Sequence, residues 1–180
     1  MNGRVEGALS LFTTQEGTSV SINGRTVPLE YRPSTALAYT LDGSEIYSLE
    51  LKALFSGDLA ILKKSPRFKD NVFLMGPYRP GRIPLVLVHG TASSPARWAQ
   101  LLNEIINDRE LYQRYQFWMF TYNTGNPVLY SAGILARGLR GVVGELDPEG
   151  KDPALRKMVI VGHSQGGMLT KLTAVDSGTR

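Results

Sequence analysis

The sequence predicts an α/β fold, a doubly wound, mostly parallel sheet that follows a small β-rich N-terminal extension. Three observations predict it. Apolar runs of the length of buried parallel strands recur at Ile83 to Val88, Gln116 to Tyr122 and Met158 to Val161. Each is followed by a segment with apolar residues at helical spacing, so strand and helix alternate, as a parallel sheet covered by helices requires. The residues that leave these runs carry the distinctive motifs of the chain, and in open parallel sheets ligands bind outside the carboxyl ends of the strands. The expected division is 1–76 for the extension and 77–180 for the α/β part.

In the extension, Thr18 to Ile22, Asn23-Gly24 and Arg25 to Leu29 form a hairpin signal, because Asn-Gly suits the tight turn that matches strand twist. Pro28 marks an edge strand. Leu37 to Leu41, Asp42-Gly43 and Ile46 to Leu51 read either as a second hairpin or, with Ser34 as a cap, as short helices. Leu59 to Leu62 and Val72 to Met75 are further strand candidates leading into the sheet. Lys63, Lys64, Arg67, Lys69, Arg79 and Arg82 face only Asp70 as an acid, a pattern that fits an anionic membrane surface or a solvated linker face.

After the first long run, Ser94 reads as a helix cap with Pro95 at the first helical position, where a missing N–H costs nothing. Trp98, Leu101, Leu102, Ile105 and Ile106 then form one stripe, which Asn107-Asp108 ends. The strand 116–122 closes in the turn Asn123 to Pro127. From Val128 to Leu146 the apolar positions 128, 132, 135, 139, 142 and 146 define a helix face. Gly133, Gly138, Gly141 and Gly144 each cost that helix about 1 kcal/mol relative to alanine and permit close packing on the sheet. Pro148 and Pro153 bracket the return to the strand at Met158.

The chemistry-bearing motif is Gly162-His163-Ser164-Gln165-Gly166, between an apolar strand and a helix. On a tight strand-to-helix turn the Ser164 hydroxyl would project as a nucleophile, and Gly162, His163 and Gly166 would build the elbow. A plain strand–helix junction with a capping serine explains isolated matches of this kind equally well. Upstream, the first long run ends in His89-Gly90-Thr91. Acyl transfer needs two backbone N–H groups aimed at the developing oxyanion, one after the nucleophile and one from an earlier loop, which nominates Gln165 and Thr91. Trp98 and Tyr122 are candidates for an acyl pocket, with a core role as the alternative.

On Pro84 to Thr91 and Val159 to Gly167 the chain resembles the α/β-hydrolase superfamily, in its lipase and esterase branches. The segment Pro77 to Gly90 is similar to the lead-in of bacterial lipase-like proteins related to the inositol deacylases that act on glycolipid anchors. The resemblance implies a serine hydrolase of small-molecule ester or lipid substrates that needs no cofactor. It also implies an acid and then a histidine after the nucleophile in the chain. Here only Asp176 follows Ser164 as an acid, and no histidine does. His89 and His163 occupy positions suited to orienting loops. The expectation is therefore an N-terminal part of a hydrolase domain, truncated after the nucleophile helix, with the acid and base beyond Arg180, an uncovered apolar edge beside the Ser164 strand, and little activity of its own. The rival expectation is a non-catalytic scaffold of the same fold that binds a lipid or a protein.

Composition narrows the remainder. A hydrophobic content of 42% excludes a disordered chain. There is no cysteine, and two histidines without ligand spacing give no metal signal. No apolar run has the length of a membrane span, and Met1 is not followed by a signal segment. A net charge of +4 without an aromatic-basic cluster gives no nucleic-acid signal. Compartment stays open between cytoplasm and cell envelope.

Overall fold

The computed structural model describes residues 7–12, 14, 17–41 and 71–175. The chain divides into two compact units, Met1–Pro33 and Ser34–Arg180.

In the first unit, β1 (Ser19–Ile22) and β2 (Arg25–Pro28) pair antiparallel, with Ile22 opposite Arg25. Asn23 and Gly24 both have positive φ, 49° and 76°, the combination that a two-residue turn with the native strand twist requires. The hairpin is exposed along almost its whole length, so local turn chemistry specifies it more than burial does. Helix α1 (Pro33–Leu41), which from Ser34 onward belongs to the second unit, decides the ambiguity at 37–41 in favour of a helix. The other half of the alternative hairpin, the strand candidate Leu59 to Leu62 and the basic residues 63, 64, 67 and 69 lie outside the described residues.

The second unit is built on a four-stranded sheet of β3 (Asn71–Leu74), β4 (Ile83–Val88), β5 (Tyr115–Thr121) and β6 (Val159–Gly162), in the order β3-β5-β4-β6. β4 is parallel to both β5 and β6, with Val88 level with Phe120 on one side and Gly162 on the other. β3 is antiparallel to β5, with Val72 opposite Phe120. The sheet thus begins before residue 77. Val72, 4% exposed, packs against the same core as β4 and β5, which draws β3 into this unit.

Side-chain parity along the strands explains why both faces must be covered. Val86, Val88, Trp118 and Phe120 point into one apolar cluster, whereas Leu85, Leu87 and Met119 point into another. The first cluster is closed by Ala132, Leu135 and Leu139 of α4 (Val128–Leu146) and Leu169 of α5 (Gln165–Ala174). The second is closed by Trp98, from a 3-10 turn at Pro95–Trp98, and by Leu102 of α2 (Ala99–Asn107). This is a doubly wound sheet, as expected.

Two details depart from the sequence expectation. The stripe on α2 is narrower, since Leu101 is 37% exposed and only Trp98, Leu102 and Ile105 reach the cluster, because the helix lays a single edge on the sheet. Asp108 does more than end α2. Its carboxylate accepts the Leu111 N–H at 3.0 Å and so opens α3 (Arg109–Arg114). Ser94 caps as expected, accepting the Ala96 N–H at 3.2 Å. Of the α4 glycines, Gly138 serves close packing, because a Cβ there would lie 3.1 Å from Val72 Cγ2, whereas Gly141 and Gly144 face open space. Arg82 is tied to α3, donating to the Tyr112 carbonyl at 2.9 Å with its guanidinium 5.5 Å from the Tyr112 ring centre. Burial, with Arg79 nearby, lowers its pKa.

At the amino ends of β4 and β6, Asp152 staples two segments together. Its carboxylate accepts from Tyr78 Oη at 2.5 Å, from the Gly81 N–H at 3.0 Å and from the Ala154 N–H at 2.9 Å. The Tyr78 bond holds the Asp152 pKa below its usual value, while burial and then Asp152 push Tyr78 up to about 12.

Candidate functional site

The strand order puts β4, the first of the parallel strands, in the middle, with its successors β5 and β6 on opposite sides. The chain therefore leaves the sheet in opposite directions from neighbouring carboxyl ends, the place at which open sheets of this kind bind ligands. His89 to Thr91, Tyr122 to Thr124 and His163 to Gln165 all emerge at this rim, directly after β4, β5 and β6.

Ser164 occupies a strained turn. Its φ and ψ are 54° and −122°, a region that non-glycine residues rarely adopt, and such strain costs on the order of 1–3 kcal/mol. The turn is fastened by Gly166 N–H to His163 O and Gly167 N–H to Ser164 O, both 2.9 Å, and by His163 N–H to Val88 O at 3.0 Å. Close backbone approach explains its glycines. A Cβ on Gly162 would strike the Gly166 carbonyl, and one on Gly166 would strike the Val88 carbonyl. Ser164 itself is exposed at the head of the ten-residue helix α5.

The two separated motifs converge. A Cβ on Gly90 would lie 2.9 Å from Ser164 Cβ and 3.0 Å from the His163 carbonyl oxygen, so the β4 loop passes directly against the elbow. Thr91 Oγ1 and Gln165 Oε1 are 3.0 Å apart. Among the described residues, neither the Thr91 nor the Gln165 backbone N–H has a hydrogen-bond partner. Two unspent donors therefore flank an exposed serine.

Residues 85–178, just over half of the chain, match the model of the Alpha/beta hydrolase family. The chain belongs to that family. No curated protein and no solved structure matches it.

Within this α/β-hydrolase site, Tyr122 is a tie between loops. It is 5% exposed, its ring stacks on His89 with centroids 4.7 Å apart, and Tyr122 Oη lies 2.9 Å from the His89 carbonyl oxygen and 3.2 Å from Gln165 Oε1. Burial pushes its pKa up to about 12, so the phenol keeps its proton. Trp98 lies in the apolar cluster under α2. Both aromatics considered for an acyl pocket are thus core residues, the alternative role that burial favours.

The histidines are engaged elsewhere. His89 is 2% exposed, with Nδ1 3.0 Å from the Gly90 carbonyl oxygen, and His163 presents Nε2 to Arg97 Nη2 at 3.5 Å. Asp176 lies outside the described residues. Sequence reasoning missed Ala92, which holds φ at 55° and donates its N–H to Thr124 Oγ1 at 3.3 Å, joining the rims of β4 and β5. An alanine carries no signal for positive φ, so nothing in the sequence could have nominated it. Among the described residues no group of histidines, cysteines and carboxylates could hold a metal ion, and no helix is long and apolar enough to cross a membrane.

Proposed function

We propose that the protein is a serine hydrolase of carboxylic, lipid-like esters, with Ser164 as nucleophile. The convergence of the Gly90-Thr91 loop on the Ser164 turn carries this reading, because acyl transfer needs a nucleophile and two N–H donors around one carbonyl. Ser164 Oγ attacks the acyl carbon and gives its proton to a histidine. The Thr91 and Gln165 N–H groups hold the oxygen that becomes negative. The tetrahedral species collapses as the ester C–O bond breaks and the alcohol leaves with that proton. Water then repeats the sequence on the acyl-enzyme, releasing the acid and restoring Ser164. No cofactor enters. Among the described residues no histidine is hydrogen-bonded to Ser164; His89 turns Nδ1 to the Gly90 carbonyl and His163 turns Nε2 to Arg97.

A fluorophosphonate probe tests the nucleophile. Labelling of wild type and loss of label in Ser164→Ala is the expected result. An unlabelled, folded wild type would favour the second reading, a lipid- or protein-binding scaffold, for which the diverted histidines speak.

A further inference from the structure

Behind the two converging loops, three polar side chains meet at one atom. The Gln165 amide places Oε1 3.0 Å from Thr91 Oγ1 and 3.2 Å from Tyr122 Oη. Tyr122 Oη also lies 2.9 Å from the His89 carbonyl oxygen, which can only accept. A phenol has one proton. Two oxygens at that separation repel unless a proton lies between them, so the Tyr122 proton belongs to His89 O. Toward Gln165, Tyr122 then offers only lone pairs, and facing them with Oε1 sets acceptor against acceptor where Gln165 is 8% and Tyr122 5% exposed. Rotating the amide end for end removes the conflict without moving other heavy atoms, because its oxygen and nitrogen are nearly the same size. Nε2 then faces both hydroxyls with two hydrogens, one for each. The Thr91 hydroxyl accepts one of them and its own proton is released, on an exposed residue beside Ser164.

We infer that the Gln165 side chain is a double donor that positions Thr91, and that the Thr91 hydroxyl is a third donor to the oxyanion, alongside the two backbone N–H groups. The second half rests on the ester-hydrolase reading above; the first does not. The side chain of Gln165 is a positioning group, while Thr91 touches the reacting oxygen.

The two halves are tested separately. In nitrogen-15 NMR spectra the Gln165 side-chain NH2 pair is identified by its loss in Gln165→Met. One of its protons shifts in Thr91→Val and the other in Tyr122→Phe. If neither moves in any variant that folds, the amide faces the hydroxyls with its oxygen and the inference fails; Thr91 is exposed, so Thr91→Val alone suffices should Tyr122→Phe not fold. For the second half, kcat and KM are measured on a p-nitrophenyl ester with the full protein. Thr91→Val lowers kcat on the order of a hundredfold at unchanged KM, and Thr91→Ser, which keeps the hydroxyl, restores most of it. Gln165→Glu can only accept, so it recaptures the Thr91 proton and lowers kcat, with no further loss in a Thr91→Val background. Wild-type kcat in Thr91→Val overturns the third donor. A wild type without hydrolysis overturns it together with the parent reading and leaves the NMR result standing.

Discussion

Gly90→Ala probes the convergence on which the site depends. The new methyl carbon would lie 2.9 Å from Ser164 Cβ, 3.0 Å from His163 O and 3.1 Å from His163 Nδ1. Unstrained carbon atoms sit about 3.5–4.0 Å apart, so the overlap with Ser164 alone is roughly 0.6–1 Å. All three neighbouring atoms belong to His163 and Ser164, in a turn held at positive φ at Ser164 and fastened by hydrogen bonds, so the elbow cannot give way cheaply. Overpacking at such a site costs about 1–3 kcal/mol. For a protein of this size that amounts to a fall in Tm of roughly 2–12 °C, at about 2–4 °C per kcal/mol. Any relief comes from parting the β4 loop and the elbow; on the proposed ester-hydrolase reading this carries the Thr91 N–H away from the reacting atom and costs up to about a hundred- to a thousandfold in rate. The assay pairs a thermal melt with fluorophosphonate labelling. A variant that melts and labels like wild type would show that the two loops do not touch. Gly141→Ala is the internal control: a Cβ there meets nothing within 4 Å, so the same chemical change raises stability by about 0.5–1 kcal/mol through helix propensity.

Other outcomes can be checked with similar economy. Leu135→Ala empties a fully buried position under α4 and lowers stability by about 2–5 kcal/mol in denaturant titrations. Asp152 has a depressed pKa when folded, so its contribution is present above the unfolded carboxylate value of about 3.9 and is lost as pH falls through the lower folded value; Asp152→Asn lowers Tm at pH 7 and flattens the acid limb of the Tm profile. Tyr122 is shifted the other way, to about 12 when folded. Its contribution is complete below the unfolded tyrosine value of about 10 and is lost as pH rises toward 12, so Tyr122→Phe shows a shallower alkaline limb, followed by melts between pH 9 and 12.

The parts of the fold legible in the sequence are those with local physical causes. The apolar run Leu85 to Val88 had to be buried on both faces, the α4 pattern marked a helix from Val128 to Leu146, and Ser94-Pro95 announced a helix start. Asn23-Gly24 specified its turn because both positive φ angles are local demands. What stayed hidden depends on distant partners. Nothing in Asn71 to Leu74 says that the strand runs antiparallel to β5, and Asp108 serves as both stop and start only because α2 ends where α3 can begin. At the site, the Gly-x-Ser-x-Gly and His-Gly motifs announced the two loops, but Gln165 entered only through its backbone N–H. Its side chain acquires a role from Thr91 and Tyr122, which lie far away in sequence and meet it only in the folded sheet. Tyr122 itself was ambiguous for the same reason, since an aromatic residue at a strand end looks alike in a pocket and in a core.

Strand order also bears on when the reactive geometry comes into being. β4 meets β5 across a short excursion, Ile83 beside Tyr115, but reaches β6 only across a far longer one, Leu85 beside Val159. Closing a loop twice as long costs about 0.6 kcal/mol more entropy, and this closure must also force Ser164 into its unfavourable dihedral angles. Both costs fall on the same event, the pairing of β6 with β4.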